Sequence, residues 1–347
     1  MVSVTIKDVA RAAQVSVATV SRTLNGHGNV AEDVRRRVLA VANDLRYTPH
    51  AAARSLSSRR THTLGVVLPD LHGEFFSELV RGVDLVAREH RLHLLVSSYH
   101  GRPDEQVAAL RAMRGRVDGL LVMSPYAAAQ VSIVEELASA LPVVLINTQD
   151  ASPDVLSLSV DNYGGAQAMT EHLIACGHRR IAFIAGPEDN FDAHERLRGY
   201  REALARLLPD STEWVLPGAF DEASGHAAGQ ALLAAGQRPD AVFAANDMMA
   251  LGCLFSFVQA GVNVPGDIAL AGFDDIPLAR YVHPTLTTMR VNIAELGARA
   301  ARLLLTRLSA DTGVQESQHN PEEPRRSEPL RPELIVRESG VRRGGGA

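Results

Sequence analysis

The stretch TIKDVARAAQVSVATVSRTLN, residues 5–25, predicts a helix-turn-helix. Apolar residues repeat at helical spacing over residues 6–13, which indicates a first short helix. Ser16 is a good N-cap residue for a second helix over residues 17–24. Because the second helix of this motif lies in the DNA major groove, the stretch points to DNA recognition.

The residues on either side complete a small all-α domain. Thr5 and Asp8 have nearly the spacing and chemistry of a capping box at the start of the first helix. A third amphipathic helix over residues 32–45 supplies apolar side chains that close the core. Ala31 stands where a capping Ser or Thr is expected, so the start of this third helix is less well specified. We therefore expect a helix-turn-helix domain over residues 1–46, called the head below.

The charge of the chain is distributed unevenly. Residues 1–60 contain ten basic and four acidic side chains, a net charge of +6. The whole 347-residue chain has a net charge of -5, so the remaining residues carry -11. A basic segment joined to an acidic body is typical of a polyanion-binding protein with a separate regulatory or catalytic part, although a basic terminus is often only a solvated face.

The second helix offers specific groups for reading bases. Val17 and Ala18 are small and apolar, so they suit thymine methyl groups, whereas Arg22 can bind the O6 and N7 atoms of guanine. The alternative is an ordinary three-helix core with these polar groups on its solvated surface. Short polar side chains that can contact phosphates and set the register are Thr5, Ser16, Thr19, Ser21 and Asn25.

The segments TIKDVA (residues 5–10) and VSVATVSR (residues 15–22) resemble the N-terminal signature of the lactose-repressor (LacI/GalR) family of bacterial transcription regulators. LRYTP and AARSL, residues 45–49 and 52–56, resemble the hinge of that family, although His50 replaces the usual Asn. The resemblance implies that residues 47–60 form a hinge helix and linker.

The hinge segment is too short to form a stable helix by itself, because an isolated helix needs about 12 to 15 residues. The resemblance implies that two such helices, one from each subunit, fold together in the minor groove. Ala53 then contacts the DNA, and Leu56 inserts between base pairs as an apolar wedge. The alternative for Leu56 is a linker residue that is covered by its own domain.

From residue 63 onward, short apolar runs alternate with helical stretches, which predicts doubly wound parallel α/β sheets. The predicted strands are residues 64–68, 92–96, 119–123, 143–146, 181–185, 241–244, 268–271 and 333–336, and the predicted helices include residues 75–90, 103–115, 163–176 and 247–260.

Residues 61–347, called the body below, are long enough for two such sheets. The order of its motifs resembles the body of the same family, which is similar to periplasmic sugar-binding proteins. We expect an N-subdomain over about residues 61–160 and 292–308 and a C-subdomain over about residues 161–291 and 330–339. The polar, proline-rich residues 309–329 are interpreted as a disordered insertion.

Polar side chains follow several of the predicted strands, and ligands of open α/β sheets bind beyond the carboxyl ends of the strands. The family resemblance locates five candidate effector-binding residues in the cleft between the subdomains. Arg196, Asn246 and Asp274 are the expected hydrogen-bonding groups, and Phe75 and Phe220 are the expected apolar walls. A bidentate Arg, carboxylate and amide acceptors, and aromatic walls suit a sugar.

Two of these candidates have other interpretations. Phe75 and its neighbour Phe76 lie at the start of a predicted helix, so one of the two is expected to belong to the core. Arg196 can instead pair with Glu195 or Glu202 on the protein surface. Asn190 and Asp192 lie near Arg196 in the sequence and are candidates for tuning which effector fits.

Enzyme motifs are missing or incomplete. The sequence at residues 26–31 formally fits GxGxxA, but no strand precedes it, as a dinucleotide site requires. Arg198 stands where a zinc-protease helix starting at His194 needs a second histidine. Asp274 and Asp275 are adjacent, so they do not easily flank a glycosidic bond. The sequence favours a protein that is not an enzyme and predicts no cofactor or metal.

The remaining features indicate an intracellular regulator. Cys176 and Cys253 are far apart, which favours buried thiols over a disulfide framework. The first 25 residues lack an apolar signal segment, and no apolar run approaches 18 residues. A transport-type sugar-binding protein needs a signal peptide and lacks a basic head. No C-terminal leucine heptad supports a tetramer.

We therefore expect a cytoplasmic transcription regulator, most often a repressor in this family, that controls carbohydrate uptake or catabolism genes. Two heads that read a pseudo-palindromic operator in double-stranded DNA require two-fold symmetry, so a homodimer is expected. A small-molecule effector, a sugar, is expected in the cleft, and a purine or nucleoside effector is the alternative.

Overall fold

The computed structural model describes residues 4–24, 29–47, 60–126, 131–148, 155–310 and 328–341. The chain divides into two compact units, Met1–His62 and Thr63–Ala347, which contain the head and the body, respectively. Predictions that fall outside the described residues concern Asn25, Ala53, Leu56, hinge residues 48–59 and insertion residues 311–327.

Three helices form the head, as predicted, and their ends lie within one residue of the predicted ones. They are α1 (Ile6–Ala12), α2 (Val17–Leu24) and α3 (Glu32–Asp44). The helices are short and amphipathic, so each is held mainly by the apolar face that it contributes to a shared core. The buried members of this core are Val9, Ala10, Ala13, Val20, Val38 and Ala42.

Side-chain caps fix the two helices of the motif. The Asp8 carboxylate accepts hydrogen bonds from the Thr5 amide at 3.0 Å and from the Thr5 hydroxyl at 2.7 Å. The Ser16 hydroxyl oxygen accepts a hydrogen bond from the Thr19 amide at 3.1 Å, which confirms Ser16 as the cap of α2. Ala31 makes no side-chain cap at the start of α3, as its chemistry predicts.

The N-subdomain is a five-stranded sheet with the strand order β2-β1-β3-β4-β5, in which every pair is parallel. Its strands are β1 (Thr63–Leu68), β2 (His93–Ser98), β3 (Gly119–Met123), β4 (Val143–Ile146) and β5 (Leu156–Leu158). Its helices are α4 (Glu74–Glu89), α5 (Pro103–Met113), α6 (Val131–Ala138) and the late helix α11 (Ile293–Ala310).

The C-subdomain is a four-stranded parallel sheet with the order β7-β6-β8-β9. Its strands are β6 (Ile181–Ile184), β7 (Trp214–Leu216), β8 (Ala241–Ala244) and β9 (Ala269–Ala271). Its helices are α7 (Asn162–Ala175), α8 (Phe191–Leu207), α9 (Glu222–Ala234) and α10 (Asp247–Gln259). The antiparallel strands β10 (Thr288–Arg290) and β11 (Glu333–Ile335) lie beside the end of β9.

The chain passes between the two subdomains three times. It enters the C-subdomain between β5 and α7, returns to the N-subdomain between β10 and α11, and passes back between α11 and β11. Helix α11 packs closely on α4, where a Cβ atom added to Gly82 would lie 1.8 Å from the carbonyl oxygen of Ala294. Only glycine permits this approach, which holds the late helix against the N-subdomain.

The structure confirms the predicted fold class and each predicted strand to within two residues, while adding three-residue strands that were not predicted, β5, β7 and β10. Helix α11 continues through Ala310, so the prediction that residues 309 and 310 belong to a disordered insertion is wrong. The leucines of α11 continue the apolar face to that point, since Leu308 still packs against the core.

The structure also bears on the two cysteines and on membrane-spanning helices. Cys253 is buried as predicted, but Cys176 is only half-buried, because it lies at the end of α7; both thiols are free. Among the described residues, no helix is long and apolar enough to cross a membrane.

Candidate functional site

The outer surface of α2 carries the predicted base-reading groups of the head. The Val17 side chain is 41% exposed, which is unusual for valine, and Ala18 and Arg22 are exposed as well. Val20, which points into the core of the head, is fully buried. The helix therefore presents a small apolar patch and one guanidinium outward, in the chemistry that base-edge contacts use.

The predicted phosphate-contacting groups of the head differ in exposure. Thr5 and Ser16 are exposed, whereas Thr19 and Ser21 are half-buried. The hydroxyl groups of Ser16 and Thr19 lie 2.9 Å apart, and Thr5 donates to Asp8. The hydroxyl groups of Thr5, Ser16 and Thr19 form hydrogen bonds at the starts of α1 and α2, which hold these side chains in fixed orientations before DNA binds.

A cavity of about 340 Å³ lies between the two subdomains of the body. This volume is at the small end of the range for small-molecule sites. All five predicted effector residues line it: Phe75, Arg196, Phe220, Asn246 and Asp274. Sequence reasoning did not single out other lining residues, among them Met123, Tyr126, Asp221 and Met248.

Helix α8 positions the central cation of this cavity. The Asn190 side chain caps the helix by accepting from the Ala193 amide at 3.1 Å, so α8 begins at the cavity wall. Asp192 lies in its first turn, and Arg196 follows one turn later, on the same face of the helix. Residues 190 and 192 line the cavity, as their sequence position suggested.

Arg196 is 4% exposed and uses all three of its nitrogen atoms. Its Nε donates to Asn162 Oδ1 at 2.8 Å, and its Nη1 donates to the Ala245 carbonyl oxygen at 2.6 Å. Its Nη2 forms an ion pair with Asp274 Oδ1 at 3.1 Å. The surface alternative for Arg196 is wrong, because Arg198 is the residue that pairs with Glu195 and Glu202.

Asp192 joins the two subdomains at the cavity. Its Oδ2 accepts from Asn147 of the N-subdomain, and its Oδ1 accepts from Asn162 of the C-subdomain, both at 2.9 Å. Burial raises the pKa of Asp192 to about 6, although the Arg196 charge and the Asn147 hydrogen bond act to lower it.

The adjacent carboxylates of Asp274 and Asp275 face different surroundings. Asp274 lines the cavity, and burial raises its pKa to about 6 against the lowering effect of Arg196. Asp275 instead binds Arg290 at 2.7 Å and Arg337 at 2.5 Å. Burial acts to raise the pKa of Asp275, but these two guanidinium groups hold it below its usual value. The two carboxylates therefore do not form a hydrolytic pair.

Asp274 has one unsatisfied atom. Among the described residues, no group donates a well-formed hydrogen bond to its Oδ1, and the Arg196 contact is a charge contact without hydrogen-bond geometry. Its backbone φ of 113° lies in a region that residues other than glycine rarely adopt. A buried acceptor without a donor and a strained backbone are both typical of ligand sites.

Aromatic rings form the apolar walls. Phe75 and Phe76 make an edge-to-face pair with ring centroids 5.5 Å apart. Both are half-buried, both line the cavity and both pack against the core, so the structure does not divide them into one core ring and one cavity ring, as expected from the sequence. Helix α4 begins at the cavity mouth, which leaves its first turn uncovered. Phe220 lies on the opposite wall with φ at 64°, and the Arg196 guanidinium lies 5.8 Å from its ring centroid.

Asn246 lines the cavity mainly as a structural cap. Its Oδ1 accepts from the Met249 amide at 2.9 Å at the start of α10. Its Nδ2 donates to the Phe220 carbonyl oxygen at 2.9 Å and so fixes the strained loop that carries this ring. Its second amide hydrogen and the second lone pair of its Oδ1 remain for a ligand.

A charged contact closes one side of the cavity mouth. His72 of the N-subdomain and Glu222 of the C-subdomain approach to 3.0 Å. This hydrogen bond raises the pKa of His72. Both side chains are largely exposed, so the pair contributes little stability, but it shows that the two subdomains meet around the cavity.

No metal site accompanies the cavity in the part of the chain that the structure describes. Groups of three or more His, Cys, Asp or Glu side chains that could hold an ion are absent there. The lining residues offer hydrogen bonds, charge and apolar walls, which are the means of binding a small organic molecule.

Family models match two parts of the chain. Residues 5–50 match the bacterial regulatory proteins of the lacI family, and residues 170–340 match a periplasmic binding protein-like domain. The first match covers the head, and the second covers the C-subdomain together with α11.

Curated relatives match over nearly the whole chain. Catabolite control protein A of Priestia megaterium is 36% identical, covering 89% of this chain and 94% of the relative. The ribose operon repressor of Haemophilus influenzae and the transcriptional repressor PurR of Photobacterium profundum are each 35% identical, covering 96% of this chain and 98% of each relative. A ribose operon repressor and a repressor named PurR are thus equally similar to this chain in sequence identity.

Solved structures of similar proteins also match nearly the whole chain. The lac repressor dimer bound to operator and the anti-inducer ONPF is 27% identical with a TM-score of 0.80, covering 98% of this chain and all of that one. The complex of the regulator CelR with cellobiose is 32% identical with a TM-score of 0.68, covering 97% of this chain and 99% of that one. The chain belongs to the LacI family of bacterial regulatory proteins, which are DNA-binding transcriptional repressors with an effector-binding domain and not enzymes.

Proposed function

We propose that this protein is a homodimeric repressor of carbohydrate uptake or catabolism genes and that a sugar in the body cavity controls it. The observation that carries the sugar assignment is the pair formed by Arg196 and Asp274. It combines a buried guanidinium with a carboxylate oxygen that lacks a donor, between aromatic walls. Sugar hydroxyl groups donate and accept hydrogen bonds, and sugar C–H faces pack on rings.

The proposed DNA contacts follow the exposed face of α2. Val17 and Ala18 contact thymine methyl groups, Arg22 binds a guanine, and Thr5, Ser16, Thr19, Ser21 and Asn25 contact phosphates. Residues 47–60 act as the hinge, with Ala53 and Leu56 in the minor groove. Two copies read a pseudo-palindromic operator, as the operator-bound lac repressor dimer suggests.

Control of DNA binding follows from the position of the cavity between the subdomains. A sugar that contacts both subdomains favours one arrangement of them and thereby helps or hinders the paired hinge helices. It shifts that balance only by binding the two arrangements unequally.

A purine or nucleoside effector is the second candidate. The edge-to-face pair of Phe75 and Phe76 opposite Phe220 suits a flat base, and PurR is among the relatives. Both candidates use the same cavity, so ligand binding separates them.

A thermal-unfolding scan against monosaccharides, disaccharides, nucleosides and purine bases tests the effector class. A ligand at 100 times its Kd adds about 2.7 kcal/mol of stability, which raises the Tm by about 5 to 10 °C. We expect one sugar or a group of related sugars to respond. A response limited to nucleosides or bases contradicts the sugar assignment and favours the second candidate.

Arg22→Ala is expected to weaken operator binding by about 1 to 3 kcal/mol and to relax base discrimination, because it removes the only guanidinium of α2. The operator is first enriched from a randomised DNA library with the unaltered protein, and affinity is then measured by fluorescence anisotropy. Arg302→Ala is the control, since it removes an exposed arginine from the body. Equal operator affinity of the Arg22 variant and the unaltered protein contradicts the base-reading role.

A further inference from the structure

The charges that line the cavity are unequal. Four carboxylates line it, from Asp70, Asp192, Asp221 and Asp274. Against them stands one guanidinium, that of Arg196. His72 also lines the cavity, but its ring is paired with Glu222. The carboxyl groups of the described lining therefore outnumber its guanidinium four to one.

The charge of this guanidinium is already balanced by the Asp274 carboxylate. Asn162, Ala245 and Asp274 already take one contact from each of its three nitrogens. It is also stacked on the Phe273 ring, with the guanidinium carbon 3.8 Å from the ring centroid. A phosphate or carboxylate group that bound this cation would lie close to the buried Asp274 carboxylate, and the two like charges would repel each other.

Helix N-termini normally attract anions, and four helices begin with residues that line the cavity, α4 at Gly73, α8 at Asn190, α9 at Asp221 and α10 at Asn246. Helix α4 has no side-chain cap, but its first turn carries the Glu74 carboxylate, and α9 is capped by the Asp221 carboxylate. Asn190 caps α8 and Asn246 caps α10, so part of the free amide capacity is already used. The first turns also carry the carboxylates of Asp192 and Asp247, which offset the positive ends of the helices.

The remaining carboxylate oxygens are acceptors that require donors. Asp274 is 4% exposed, and its Oδ1 has no well-formed hydrogen bond from the described residues. Asp70 Oδ1 accepts from the Leu71 and His72 amides, and Asp221 Oδ1 accepts from the Ser224 amide, so one oxygen of each carboxylate is occupied. A ligand that supplies hydroxyl groups matches this surface.

The geometry points to an effector that is uncharged and rich in hydroxyl groups, and to a cavity that rejects phosphorylated and carboxylated forms of the same compound. This inference rests on the proposed function only in requiring that the cavity binds an effector. It holds for a free sugar as opposed to its phosphate, and equally for a nucleoside as opposed to its nucleotide.

Matched ligand pairs test it by isothermal titration calorimetry on the full chain. The pairs are glucose with glucose 6-phosphate and with glucuronate, ribose with ribose 5-phosphate, cellobiose with cellobionate, and inosine with inosine 5′-monophosphate. We expect the neutral member of the responding pair to bind at least tenfold more tightly than its anionic partner.

The double variant Asp70→Asn/Asp221→Asn shows whether the carboxylates cause this difference. Asparagine keeps the oxygen that accepts from the turn and cap amides but removes the charge. We expect the ratio of the two affinities to fall at least threefold. The control is Asp104→Asn/Asp210→Asn, which removes two exposed carboxylates outside the cavity and should leave the ratio unchanged.

The outcomes separate the two proposals. Equal or tighter binding of the anionic partner overturns the inference but leaves a sugar effector in place. Binding of inosine over its monophosphate, with no sugar bound, supports the inference and contradicts the sugar assignment. An unchanged ratio in the Asp70/Asp221 double variant overturns the role of these carboxylates.

Discussion

Arg196→Ala lowers the free energy of unfolding of the body by about 3 to 5 kcal/mol, as expected when one partner of a buried ion pair is removed. The change leaves the Asp274 carboxylate without its counter-charge and removes the donor to Asn162. Asp192, which Arg196 also stabilises through its charge, becomes harder to keep ionised. Urea unfolding followed by the fluorescence of Trp214, the single tryptophan, reports on the C-subdomain.

Arg198→Ala is the matched control, because it removes the same group from the same helix. Its ion pairs with Glu195 and Glu202 are at the surface, and its side chain is 48% exposed. We expect this variant to lose about 1 kcal/mol or less. If the two variants lose equal stability, the buried pair does not have the importance assigned to it.

Asp274→Ala is expected to abolish the effector response while operator binding is retained. The side chain supplies the acceptor that lacks a donor in the cavity, and hydrogen bonds to charged groups contribute about 1.5 to 3 kcal/mol. Effector affinity should therefore fall by roughly 10- to 150-fold. Calorimetry with the responding ligand and operator anisotropy with and without that ligand measure the two properties separately.

A second variant guards against simple unfolding. Asp274→Asn keeps the shape of the side chain and one acceptor oxygen for Arg196, at the same strained backbone. We expect it to fold and to bind operator, with effector affinity between those of the unaltered protein and the alanine variant. A normal response of either variant to effector means that Asp274 is not in the binding site.

Burial explains which parts of the fold were predictable. The strands Gly119–Met123 and Val143–Ile146 are buried at every position, and the corresponding apolar runs predicted their limits. Leu156–Leu158 and Trp214–Leu216 are three-residue edge strands, which are too short to show a period. Each is formed by its pairing with the next strand of the sheet, as in the pair Val144 and Leu156 and the pair Ala182 and Trp214.

The site was predictable to a similar degree. The family resemblance identified Arg196, Asp274 and the aromatic walls, and the structure brings them together. The link from Asp192 to Asn147 was not predicted, because it joins residues 45 positions apart across the two subdomains. A carboxylate in the first turn of a helix is ordinarily explained by the helix dipole, so the sequence contained no separate signal for that role.

The three crossings of the chain between the subdomains determine how strongly a ligand must bind to change their arrangement. The linkages keep the two cavity walls at a high effective concentration for each other, so closure is an intramolecular step. Bringing the walls together therefore does not incur the translational entropy loss of joining two free proteins. A molecule small enough for a cavity of about 340 Å³ can consequently change the arrangement of the two subdomains with only a few hydrogen bonds.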